Sequence, residues 1–255
     1  HYGNFMPNPG FDLARLLASM KSADGVVTID GFYDGIDIDA ETRAAMNAVP
    51  DDEAAILDAA WLGRNDKVGD SLQEALQYPS LNIRGMRAAW VGEQVRTIIP
   101  PTAIAEIDLR LVKESDWRRL LDLVTAHVEA QGYTVFDRAP TAAERRSHTR
   151  VVTLTHEYNY GAFRSPYDSA VGQMARAGLL RLYGEEPVLV RTMGGSIPIA
   201  PIIDALGMPA AIVPSVNIDN NQHSPNENLR LGSFYDGLAR LMAVLSETPP
   251  TEGGD

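Results

Sequence analysis

The densest polar run in the sequence is Asn217-Ile218-Asp219-Asn220-Asn221-Gln222-His223-Ser224-Pro225-Asn226-Glu227. A neutral imidazole such as that of His223 can coordinate a metal through one ring nitrogen while an Asn or Asp neighbour orients it through the other. The same composition suits a polar surface loop rich in turn formers, and spacing alone leaves both readings open, because one histidine does not make a metal site. A second run, Arg191-Thr192-Met193-Gly194-Gly195-Ser196-Ile197-Pro198, follows an expected strand and opens an expected helix. Paired glycines let a ligand approach the backbone, and the N–H groups of Gly195, Ser196 and Ile197 at a helix start attract an anion. With no P-loop lysine and no GxGxxG spacing, a substrate carboxylate would serve as that anion; a tight strand-to-helix turn is the alternative. Third, Arg110 projects from the polar face of a strand, with Thr97 earlier in the chain beside Ile98-Ile99-Pro100. A guanidinium on a rigid strand suits bidentate grip of a carboxylate, and pairing with Asp108 or Glu106 on a wet sheet is the plainer role. His127 reads as a helix-end residue, His148 lies in an expected linker, and His156 and Glu157 point to opposite faces of a strand, so none of them joins the site.

The elements that must hold these residues follow from periodicity. Phe11, Leu13, Leu16, Leu17 and Met20 have helical spacing, and Gly25 to Ile36 reads as a short strand and turn. An acidic, alanine-rich stretch from Asp37 to Gln77 carries three helical signals, at Ala40 to Val49, Glu53 to Trp61 and Leu72 to Gln77. Leu81 to Ile83 and Ala103 to Val112 return to strand character. In the second, Ala105, Ile107, Leu109 and Leu111 face a core while Glu106, Asp108 and Arg110 face water. A helix over Ser115 to Ala130 and a strand over Tyr133 to Phe136 complete an α+β region. The polar stretch Ala139 to Arg150 is the expected boundary. Beyond it a strand at Val151 to Thr155, a helix capped by Ser165-Pro166 and closed by Gly184, apolar strands at Pro187 to Val190 and Ala210 to Val213, and helices at Ile197 to Leu206 and Phe234 to Leu245 alternate. That alternation is the pattern of a parallel sheet covered on both faces. Thr248 to Asp255 reads as a disordered tail.

Composition excludes several classes. With 22 basic and 34 acidic side chains the formal charge is -12, which argues against a nucleic-acid partner. No apolar run approaches the ~18 residues of a membrane-spanning helix. The absence of cysteine removes disulfides, thiolate zinc ligands and a cysteine nucleophile, and leaves the compartment open. The start at His1-Tyr2-Gly3-Asn4, with no initiator Met, reads as an internal segment of something longer.

Taken in order, Arg96-Thr97-Ile98-Ile99-Pro100 leading to Ile107-Asp108-Leu109-Arg110-Leu111-Val112, then Met193-Gly194-Gly195-Ser196-Ile197-Pro198, then His223-Ser224-Pro225-Asn226-Glu227, resemble the M20 family of zinc-dependent peptidases. The similarity is to its dipeptidase branch, which includes carnosinase-like enzymes. Tyr2-Gly3-Asn4 with Asn8-Pro9 and Tyr78-Pro79-Ser80-Leu81-Asn82-Ile83 add to the resemblance, which covers nearly the whole chain. It implies an α+β lid that dimerises over residues 1–150, followed over 151–255 by the C-terminal half of an α/β catalytic domain with a largely parallel sheet. It also implies a homodimer through the lid, two zinc ions per subunit with His223 as a ligand, and a short peptide as substrate. Its C-terminal carboxylate would be held by Thr97, Arg110, Gly195 and Ser196. Of the family's metal ligands only the final histidine has a counterpart, so the chain by itself is expected to be inactive. An N-acyl amino acid amidohydrolase, or a non-catalytic dimerisation and substrate-binding fragment, is the alternative reading.

Overall fold

The computed structural model describes residues 1–250, so of the expected tail the part from Thr251 lies outside the described residues. Two compact units are present: His1–Arg43 with Asp51–Ala162, and Ala44–Pro50 with the chain from Phe163 on.

The first unit is built on two amphipathic helices and a hairpin-like strand pair. Helix α1 (Pro9–Ala18) starts where Asn8 accepts a hydrogen bond from the Gly10 N–H at 2.9 Å and Pro9 supplies a preset φ at the first turn. It ends at Ser19, whose hydroxyl turns back to the Leu16 carbonyl. The long connection that follows contributes a single antiparallel bridge, Lys21 to Val27, in place of the expected strand. Three short helices then appear where the acidic stretch predicts them: α2 (Ala40–Asn47), whose residues from Ala44 on are counted in the second unit, α3 (Glu53–Ala59) and α4 (Leu72–Ala75). Strand β1 (Ser80–Arg87) pairs antiparallel with β2 (Ile104–Arg110), and the register slips between Ile83 and Gly85. Helix α5 (Trp117–Ala130), capped by Asp116 accepting from Arg118 N–H at 2.9 Å, buries Leu120, Val124 and Val128, a four-residue spacing that makes one face. That face meets Leu16, Met20, Val27, Ile29, Phe32 and Leu81, and Ile107, Leu109 and Leu111 pack on the same core. The alternation of β2 therefore resolves as its sequence requires.

Residues 139–150, where the boundary is expected, hold a helix. They form α6 (Ala142–Ser147), opened by a full capping box of Thr141 and Glu144, and α6 lies within the crossover between β3 (Thr134–Phe136) and β4 (Val151–Thr153). These two strands are parallel, with Val135 opposite Val152, and a parallel pair requires a connection of a dozen or so residues. The first compact unit runs on to Ala162.

In the second unit α7 (Ala170–Tyr183) packs on α9 (Leu231–Leu245), with α8 (Ala200–Leu206) between them in sequence. Gly178 makes the crossing possible: a Cβ there would lie 2.8 Å from Val244 Cα and 2.9 Å from the Ala243 carbonyl oxygen. Arg181 crosses the same interface to donate to the Ala243 carbonyl at 3.0 Å. The expected parallel sheet is absent among the described residues, which hold no strand after Thr153. Pro187 to Val190 and Ala210 to Val213 join no sheet, with Val188 at 55% and Ile212 at 46% exposure. An apolar run becomes a strand only when a neighbouring strand pairs with its N–H and C=O groups in a ladder, and no described strand does so here. The cap of α7 also differs from expectation. Ser169 accepts from the Gly172 N–H and caps the helix, while the Ser165 hydroxyl accepts from Ala210 N–H at 2.9 Å. Gly184 closes the helix in the left-handed region at φ 76. No helix of the described residues is long and apolar enough to cross a membrane.

Candidate functional site

The residues singled out for chemistry fall in both units, Thr97 and Arg110 in the first and Gly195, Ser196 and His223 in the second. Arg110 is the last residue of β2, opposite Ser80, with its side chain half exposed. Its Nε donates to Asp108 Oδ2 at 2.5 Å, and on the same polar face Arg84 approaches Glu106 at 3.7 Å. The charge on this face is balanced residue by residue. A substrate carboxylate reaching Arg110 would therefore compete with Asp108, a contest the half-exposed geometry permits. Thr97 sits in an exposed bend after a short 3-10 turn at Gly92–Gln94, beside the Ile98 N–H that donates to the Arg96 carbonyl at 3.0 Å.

Gly195 and Ser196 are exposed but do not open a helix. Helix α8 begins at Ala200 with Ile199 before it and no side-chain cap, so the two residues precede the first turn and their N–H groups are not aligned by it. The expected anion seat at a helix start is thus replaced by an irregular, glycine-containing segment, in which a Cβ on Gly195 would meet nothing within 4 Å. Open space at that position is what a close-approaching ligand needs. Arg164 and Arg191 both act on the Tyr167 phenol, whose pKa burial nevertheless pushes above its ordinary value.

His223 lies on an exposed loop in the left-handed region at φ 63, flanked by Asn221 at φ 54 and Asn226 at φ 63. Asn and His tolerate this region better than most residues, yet three such residues in six positions mark a backbone held in shape by its surroundings. The holder is one that spacing did not single out. Asn217, only 9% exposed, donates from Nδ2 to Asp219 Oδ1 at 2.9 Å and accepts at Oδ1 from the Arg230 N–H at 3.0 Å. Asp219 also pairs with the Arg230 guanidinium, and the hydrogen bond from Asn217, together with that charge, holds its carboxyl below the usual range. The Asn217-x-Asp219 spacing, a common local turn signal, was the only trace of this in the sequence.

A metal centre cannot be assembled from these groups alone. A zinc site takes about four ligands, whereas His223 offers one imidazole, and among the described residues no three His, Asp or Glu side chains gather to hold a metal ion. The residues present do not fit a metal by themselves.

Comparison with known proteins gives the class. Residues 1–134 match the family model of the peptidase dimerisation domain, and the chain belongs to the M20 peptidases. Among individual relatives it is similar to the Cys-Gly metallodipeptidase DUG1 of Saccharomyces cerevisiae, 28% identical over 97% of this chain and 50% of that protein. It is similar also to the human Beta-Ala-His dipeptidase, 25% identical over 96% of this chain and 47% of that protein. The chain spans about half the length of the curated relatives it matches. Its fold is that of the M20 metallo-carboxypeptidase Sso-CP2 from Sulfolobus solfataricus, with a TM-score of 0.76 at 23% identity over 96% of this chain and 53% of that one. Human carnosine dipeptidase 1 superposes with a TM-score of 0.72 at 22% identity, over 95% and 49%.

Proposed function

We propose that this chain is the dimerising and substrate-reading portion of a metal-dependent peptidase that hydrolyses short peptides, dipeptides foremost. The observation that carries the reading is similarity along almost the whole chain to two relatives named as dipeptidases. The M20 membership of the chain supports metal-dependent hydrolysis, and the proposal takes zinc as the metal, two ions per subunit, with His223 as one ligand. The bound metals would supply an activated water for attack on the amide. The chain's own contribution is recognition. In the first unit Arg110 would exchange Asp108 for the substrate's C-terminal carboxylate and Thr97 would add a hydroxyl donor; in the second, the open backbone at Gly195 and Ser196 would offer a peptide a close approach. A grip on a terminal carboxylate selects short free peptides, because a longer chain has no charge at that position.

A homodimer through the first unit belongs to the same proposal. The pair β1 and β2 forms a sheet of only two strands, so each strand keeps one edge unpaired among the described residues, a surface that must be covered or paired.

The test is kcat/KM for a dipeptide and for its C-terminally amidated analogue, in the full-length enzyme and in Arg110→Ala. A charge-assisted contact is worth about 1.5–3 kcal/mol, so the free peptide is expected to lose roughly ten- to a hundredfold while the amide loses much less. Equal losses would return Arg110 to a strand residue paired with Asp108.

A further inference from the structure

We propose that Asn217 is a positioning residue that fixes the loop 217–230 in the shape that presents His223, an inference that rests on the ligand role proposed for His223. The loop lacks the usual means of staying in one conformation. Its side chains do not pack: Ile218 is 98% exposed, and every residue from Gln222 to Arg230 is exposed. Three of its non-glycine residues, His223 among them, sit in the left-handed region, a conformation that relaxes unless neighbouring groups hold it. What remains is hydrogen bonding, and it converges on one buried amide.

Asn217 ties the two ends of the loop together. Its Nδ2 donates to Asp219 Oδ1 at 2.9 Å and to Asn228 Oδ1 at 3.4 Å, and its Oδ1 accepts the Arg230 N–H at 3.0 Å. Arg230 immediately precedes α9, so the last contact pins the loop to the helix that packs on α7. Inside this closure a second ring of bonds follows. Asn228 N–H donates to the Asn220 carbonyl at 2.8 Å, Ser224 N–H to the Asn221 carbonyl at 2.9 Å, and Gln222 N–H to Asn220 Oδ1 at 2.9 Å. His223 stands at the middle of that ring. Opening the outer tie leaves the inner bonds to hold a long polar loop by themselves, and loop-closure entropy then favours release.

The experiment uses the full-length protein with Asn217→Ala, Asn217→Asp, the double change Asn217→Asp with Asp219→Asn, and His223→Ala. Amide hydrogen exchange is read at Gln222, Ser224, Asn228 and Arg230, with α7 as the internal control, alongside kcat and KM on a dipeptide. Asn217→Ala is expected to speed exchange at the loop amides by roughly tenfold or more, leave α7 unchanged, and lower kcat by about tenfold with little effect on KM. Asn217→Asp sets two carboxylates against each other and is expected to behave the same way. The double change restores one donor and one acceptor across the pair and keeps an acceptor for Arg230 N–H, while giving up the Asp219 charge beside the Arg230 guanidinium and the donor to Asn228, so it is expected to recover loop protection and kcat in part. Unchanged loop exchange in Asn217→Ala, or loss of protection spread equally through α7, would overturn the positioning role. Failure of the double change to recover protection would do the same. Full turnover by His223→Ala would sink the reading of His223 while a loosened loop in Asn217→Ala still upheld the tie itself, so the two failures are told apart.

Discussion

Glu74 offers a direct measure of how the acidic segment 37–77 is held. Its side chain is 8% exposed, and its Oε2 accepts from Arg43 Nη1 at 2.7 Å and from the Asp70 N–H at 3.0 Å. The neighbouring Gly69, at φ 72, lets the Glu74 stem lie against the backbone, since a Cβ there would come within 2.7 Å of Glu74 Cγ. Burial raises the Glu74 pKa, but the hydrogen bonds from Arg43 and Asp70 outweigh it and leave the carboxyl below its ordinary 4.5. A charge-assisted hydrogen bond contributes about 1.5–3 kcal/mol, and because Arg43 is 42% exposed its share belongs at or below the bottom of that range. Glu74→Gln, which keeps the shape and removes the charge, is expected to cost about 1 kcal/mol at pH 7. Glu74→Ala, which also removes the packed stem, is expected to cost about 2–3 kcal/mol. The sign with pH follows from a depressed carboxyl: the charge contribution is complete above 4.5 and is lost as pH falls from there through the folded pKa. All three tryptophans, Trp61, Trp90 and Trp117, lie in the first unit, so urea unfolding followed by tryptophan fluorescence reports on that unit alone. The gap between wild type and Glu74→Gln should be present at pH 7 and should shrink steadily below pH 4.5. A gap of the same size at pH 7 and pH 3 would show that the charge is not what holds the segment.

Two other outcomes follow from the same structure. Glu144 is held at about 2, first by the hydrogen bonds from Arg138 and then by the Thr141 N–H and hydroxyl, so the capping of α6 is complete above 4.5 and lost between there and about 2; its carboxyl resonance should titrate near 2, rising toward 4.5 in Arg138→Ala, and an unshifted midpoint in wild type would dispose of the capping geometry. At the α7–α9 crossing, Gly178→Val drives a side chain into the Val244 and Ala243 backbone and is expected to loosen the pair by about 1–3 kcal/mol, visible as faster amide exchange in both helices, whereas unchanged exchange would mean that they separate without strain.

What was legible in the sequence was what is decided within a few residues. Apolar spacing places α1 and α5, and the Gly184 stop marks the end of α7 through its φ preference. The alternation of Ala105 to Leu111 is equally local, and β2 follows it. Pairing is not local. A polar run with Pro140 and three charged residues at Glu144 to Arg146 has the composition of a linker. Only the parallel partnership of Val135 with Val152, formed across that run, turns it into a crossover inside one unit. The reverse happened at Val188 to Val190 and Ala210 to Val213, where apolar composition signalled strands and no described partner completes them.

The same distinction separates the candidate ligand from its support. His223 announces itself by type and by its Ser-Pro-Asn-Glu sequel, since a side chain that does chemistry must be a particular residue whatever surrounds it. Asn217 is one of several asparagines in the run, and nothing in its immediate neighbours distinguishes it. The contact that sets it apart is with a partner thirteen positions away, Arg230, whose N–H just before α9 it accepts. Arg110 shows the complementary limit: its place on a wet strand face was readable, and so was its pairing with Asp108 as the plainer role, but whether that bond yields to a substrate depends on the competing charge. In both cases residue type names the chemistry, while a hydrogen bond, thirteen residues long in sequence at Asn217 and local at Asp108, decides where the group stands.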